Sequence, residues 1–106
     1  MQHTFEIENI EELRRGNGID DAELREEICC LQVGDLVKLT FLMGGNPPRG
    51  ETVAVRILSI EDGGYRGKLT RRPVAHRSSK LRAGTEVSFT QDHIHSIVKT
   101  AQGSRR

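Results

Sequence analysis

Apolar residues in this chain recur at every second position over short stretches and never run more than four together. Val37, Leu39 and Phe41 alternate with Lys38 and Thr40, and Val53, Val55 and Ile57 resume the same period after an interruption. Successive side chains of a strand point to opposite faces, so this pattern makes half-buried strands with one face on a core and the other in water. The same limit on run length excludes a membrane-spanning helix, which needs about 20 consecutive apolar residues.

The alternation predicts a strand over residues 35–43, a Gly- and Pro-rich loop over 44–50, and a second strand through Val53, Val55 and Ile57. Leu58 and Ile60 fall out of phase with that strand, which predicts a bulge that bends it around two sides of a small barrel. Asp62-Gly63-Gly64 is a tight hairpin turn, followed by a return strand Tyr65–Thr70 in which Gly67 permits a bend. After an aperiodic stretch from Arg71 to Gly84 come a strand over 85–91, with Val87 and Phe89 inward, a turn at Asp92-His93-Ile94-His95, and a last strand over 96–99. Five short strands in this order predict a mainly β chain, a small five-stranded SH3-like, partly open barrel, with an OB-like barrel as the alternative.

The first third reads as helical or mixed. Phe5 and Ile7 hint at a short strand, and Asn9 and Glu12 resemble a capping box opening a helical turn that ends at Gly16-Asn17-Gly18. Asp20 and Glu23 form a second capping box, with Ile19 and Leu24 as its hydrophobic staple. Leu24, Ile28 and Leu31 then give one apolar stripe on a helix over 20–31. The expected organisation is an N-terminal helical segment 1–32 packed on a barrel domain 33–100, with a disordered tail 101–106. With 106 residues there is room for one core.

A formal net charge of +1 conceals a division: residues 1–62 carry −7 and residues 63–106 carry +8. Such asymmetry marks either a surface for an acidic partner or nucleic acid, or a basic half neutralised by its own acidic segment. The cations concentrate in Arg71, Arg72, Arg77, Lys80 and Arg82, with His76 among them and Arg66 and Lys68 on the strand before. This cluster would hold an acidic protein partner or, alternatively, a nucleic-acid backbone through salt-dependent phosphate contacts. The bland alternative is a solvated loop docked by Val74 and Leu81 against the acidic N-terminal helix. Aromatic residues make up only 4% of the chain, so stacking on bases has few platforms.

Catalytic signatures are absent from the sequence. The 44–50 loop lacks the Gly-Lys-Ser/Thr ending of a phosphate loop, there is no nucleophile elbow, and Ser78-Ser79 has no evident base. His93 and His95 would share a face on a strand, but with Asp92 they supply only part of a metal set, so neither a metal nor another cofactor is expected. Cys29 and Cys30 are adjacent, which disfavours a disulfide between them, and helix packing is the expected use of both. Two thiols without a framework, and no basic and apolar export signal, predict a reducing cytoplasm. The expectation is a non-enzymatic binding module.

Val33-Gly34-Asp35, Lys38, Phe41, Gly67-x-Leu69, Pro73, Leu81, Gly84, Val87 and Ile94 together resemble a family of uncharacterised bacterial domains typified by YegJ. The resemblance spans roughly residues 33–98 and consists mainly of apolar, Gly and Pro positions. It implies a small bacterial cytoplasmic domain and transfers no catalytic residue.

Overall fold

The computed structural model describes residues 5–43, 49–74 and 81–98. Among them are β1 (Phe5–Ile7), α1 (Ile10–Gly16), α2 (Ala22–Ile28), β2 (Leu36–Met43), β3 (Arg49–Glu61), β4 (Gly64–Leu69), β5 (Glu86–Thr90), a single 3-10 turn (Gln91–His93) and β6 (Ile94–Ile97). The strands pair antiparallel in the order β1-β2-β3-β4-β5, and β6 pairs with β2. One edge of β2 therefore carries β3, while the other is shared by β6 at residues 37–39 and β1 at residues 41–43. The path β6-β2-β3-β4-β5 is the predicted small SH3-like barrel, nearly closed. The alternation at Phe5 and Ile7 does form a strand, and it adds a sixth to the sheet within the segment expected to be helical.

The period-two residues build the core. Val37, Leu39, Phe41, Val53, Val55, Ile57, Leu69, Val87, Phe89 and Ile94 are all buried, each contributing roughly 1.5–3 kcal/mol by leaving water. The expected bulge is present: Ile57 pairs with Gly67 and Ser59 with Arg66, which leaves Leu58 as the extra residue. Upstream of it β3 pairs with β2, and from Val55 onward with β4, so one bent strand serves both sides of the barrel. Gly67 sits where the strands press closest, for a Cβ there would lie 2.6 Å from Val55 Cγ1 and 2.7 Å from the Arg56 carbonyl oxygen. Gly63, at φ +77, makes the two-residue hairpin turn. β3 begins at Arg49, earlier than the loop composition predicts, and β6 begins at Ile94 rather than at Ser96.

The second helix is shorter than predicted and starts later. Asp21, not Asp20, is its cap, its carboxylate accepting from the Leu24 amide at 3.0 Å. The positions that a hydrophobic staple would occupy are then Asp20 and Arg25, and these two form an ion pair instead. Ile19 is exposed and staples nothing. The helix stops at Ile28 because the chain turns to join the sheet, the Gly34 amide (φ +98) donating to the Ile57 carbonyl at 2.8 Å. Leu24 and Ile28 are buried and Leu31, past the helix end, packs against the core half-buried. Cys29 and Cys30 are both exposed, so the expectation that they serve helix packing does not hold.

α1 lies against the 3-10 turn and β6, and α2 against β6. Arg14 Nη2 donates to the His95 carbonyl at 3.0 Å, fixing α1 there. No helix among the described residues is long and apolar enough to cross a membrane. The predicted tail 101–106 lies outside the described residues.

Candidate interaction surface

The outward faces of β2, β3 and β4 set the site. Because Val37 and Leu39 point inward, Lys38 points out; the same parity turns Arg56 outward between Val55 and Ile57, and Lys68 outward between Gly67 and Leu69. Register then brings them together. Lys38 is opposite Ala54, one alternation from Arg56, and Arg56 is directly opposite Lys68. Residues directly opposite have Cβ atoms about 5 Å apart and diagonal neighbours about 7–8 Å, within reach of long side chains. All three cations are exposed. Arg56 donates through Nη1 to the Gly34 carbonyl at 2.9 Å; Lys38 and Lys68 form no close ion pair among the described residues, although Glu86 of β5 is directly opposite Lys68.

Of the residues predicted from sequence, Arg66 and Lys68 join this face from β4. Arg66 leans toward β5, with Nη1 3.6 Å from Glu86 Oε1. Arg71 is committed to the fold: Nη1 donates to Glu51 Oε2 at 2.9 Å and Nη2 to the Thr52 carbonyl at 3.2 Å. The Val74 amide reaches the same Glu51 oxygen at 2.8 Å. The start of the basic segment is thus pinned to β3, and Pro73 and Leu81 are buried while Val74 is exposed. At its described start the segment docks on Glu51 through Arg71 and the Val74 amide, with Pro73 and Leu81 buried rather than Val74. Arg72 and Arg82 are exposed beside it. Arg77 and Lys80, with His76, lie outside the described residues.

Lys38 and Arg56 were not among the predicted site residues, because they belong to the half of the sequence with net negative charge. The signal available for them was their place on the polar phase of the alternation. Strand register, which joins them to Lys68, is a long-range property.

The ion pairs given for the N-terminal segment are local. Glu11 pairs with Arg15 at 3.7 Å, and Asp20 with Arg25, whose proximity holds the Asp20 carboxyl below its usual range. On the outer side of β3–β4–β5, Ser59, Arg66 and Ser88 share one row and Glu61, Gly64 and Thr90 the next. They line an open groove of about 640 Å³ that ends at His93. The two histidines do not converge. His93 Nδ1 accepts from the Thr90 amide at 2.9 Å, and His95 Nδ1 meets Ser96 Oγ at 3.0 Å. Among the described residues no three His, Cys, Asp or Glu side chains gather as a metal set.

No family model matches the chain, and no curated protein or solved structure matches it.

Proposed function

We propose that the protein is a non-enzymatic binding module that holds an acidic protein segment on the outer face of β2–β3–β4. The observation that carries this is the convergence of Lys38, Arg56 and Lys68 from three strands, with Arg56 and Lys68 directly opposed and no acid between them. Like charges facing each other across a ladder cost stability, so the arrangement fits a surface whose charge is satisfied by a ligand. A protein partner fits better than a nucleic-acid backbone for two reasons. Carboxylates flank the cations, Glu86 directly opposite Lys68 on β5 and Glu61 and Asp62 at the hairpin, so a long unbroken run of phosphates meets repulsion along its length that a peptide with spaced carboxylates avoids. Among the described residues Val74 and Ile60 are exposed nearby and offer packing to a protein, while the aromatic there, Tyr65, is half-buried and stacked on Phe89, a poor platform for a base.

A cytoplasmic setting is part of the proposal, supported by two exposed thiols that are free. The kinship with YegJ-typified domains is likewise proposed. It rests on residues such as Gly34, Pro73 and Gly84, which serve turns and the core here, and it assigns no site.

Fluorescence anisotropy across a salt series tests the reading, with labelled poly-glutamate, a short DNA duplex and a single strand as probes. Poly-glutamate is expected to bind at low salt and to lose binding in an Arg56→Glu/Lys68→Glu variant. Tighter binding of either nucleic acid, with a steep salt slope, would replace this reading by the phosphate-backbone one. No binding of any probe overturns both.

A further inference from the structure

The layout of the three cations specifies the form of the acidic segment, an inference that rests on the reading above. We propose that the segment binds as an α-helix lying obliquely across β2, β3 and β4, with carboxylates one turn apart along one face. Each of these strands is already paired on both edges: β2 with β3 on one side and with β6 and β1 on the other, β3 with β2 and β4, and β4 with β3 and β5. No backbone ladder is therefore open beside Lys38, Arg56 or Lys68. An extended segment laid over this face meets side chains but finds no strand edge for its own amides and carbonyls. A helix closes those hydrogen bonds within itself and presents only side chains to the sheet.

Register gives the direction and the spacing. Leu36 of β2 and Lys68 of β4 lie on either side of Arg56, and Lys38 is two residues along β2 from Leu36. Lys38 and Lys68 are thus two strand spacings of about 4.8 Å apart across the sheet and one two-residue step of about 6.7 Å apart along it, a separation of roughly 12 Å. Positions i and i+7 of a helix are about 10.5 Å apart along its axis and share a face with i+4. The long Lys side chains take up the difference. The diagonal from Lys38 to Lys68 passes between Ala54 and Arg56. Ala54 is half-buried and offers only a methyl group, so the face is shallowest where a helix comes closest. On the other flank the bond from Arg56 Nη1 to the Gly34 carbonyl at 2.9 Å holds the guanidinium toward the start of β2, beside the middle carboxylate of the helix. Leu36, half-buried opposite Arg56, adds an apolar contact. Glu86, opposite Lys68 on β5, ends the basic run, so a further acid in the next turn meets a like charge.

The test uses the intact protein and three labelled Ala-rich peptides, each with three Glu. The first carries them at i, i+4 and i+7, the second spreads them around the helix, and the third has the first pattern with a helix-breaking Pro at its centre. The aligned peptide is expected to bind about tenfold more tightly than either of the others, and to gain helicity on binding by circular dichroism. Lys38→Glu and Lys68→Glu are each expected to weaken it about tenfold. Ala54→Gln, which fills the seat without changing charge, is expected to weaken the aligned peptide and leave poly-glutamate binding nearly unchanged. Equal binding of all three peptides with no gain in helicity overturns the inference, although the basic face still binds acid. Tighter binding of the Pro-containing peptide assigns an extended segment and overturns it as well. If neither poly-glutamate nor any peptide binds, the underlying reading fails too. Peptide affinity that falls as protein concentration rises would give the face to a second copy of this chain and contradict the inference.

Discussion

Gly67 is the residue on which the basic face depends most. A methyl group there would enter the contact between β4 and β3 at Val55 Cγ1 and the Arg56 carbonyl, and that contact holds Lys68 opposite Arg56. Gly67→Ala is predicted to cost about 1–3 kcal/mol through overpacking, measured as a lowered urea midpoint at unchanged slope. His93 makes a different prediction. Its Nδ1 accepts from the Thr90 amide, which requires the neutral ring, and burial lowers its pKa from 6.5 despite the opposing pull of Asp92. Just below pH 6.5 the unfolded chain therefore binds more protons than the folded one. The contribution of His93 to stability is complete above that pH and is lost as pH falls through the folded pKa. Thermal melts from pH 7.5 to pH 5 are expected to show this decline, and His93→Asn, which keeps an acceptor that does not titrate, is expected to flatten it. An equal decline in the variant would assign the pH dependence to other groups.

At the scale of elements, α2 and β3 show what the sequence made legible. The existence of α2 was readable because Leu24 and Ile28 repeat at helical spacing. Its start was not, since Asp20 and Asp21 are equivalent as caps by residue type and differ only in which carboxylate reaches the Leu24 amide. Asp21→Ala is predicted to lower stability by about 1 kcal/mol, while Asp20→Ala, which removes only an exposed pair, leaves the melting temperature nearly unchanged. A reversed order of the two effects would contradict the assigned cap. The β3 bulge was legible from the phase slip at Leu58, because a period of two flips face whenever one residue is added. The basic face was half legible. Arg66 and Lys68 stood out by sequence proximity to other cations, whereas Lys38 and Arg56 join them only through pairings that span long stretches of chain. Arg71 misled for the converse reason, since a residue that looks solvated in sequence is pinned to Glu51.

At the scale of the molecule, a net charge of +1 is distributed so that the acidic α2 lies against β6 and the charge-balanced α1 against β6 and the 3-10 turn, while cations gather on the outer face of β2–β3–β4. Binding and folding make separate demands on that face. Lys68→Thr relieves the repulsion with Arg56 and keeps a residue suited to strands, so its stability is predicted to stay within about 0.5 kcal/mol of the native protein. Its affinity for poly-glutamate is predicted to fall, which marks Lys68 as a binding rather than a structural residue. The most direct measurement is a residue-resolved NMR titration of the native protein with poly-glutamate at low salt. Backbone amide shifts are predicted to be largest at Lys38, Arg56, Arg66 and Lys68 and small on α1 and α2. Shifts centred on the helices, or none on the three strands, would contradict the account.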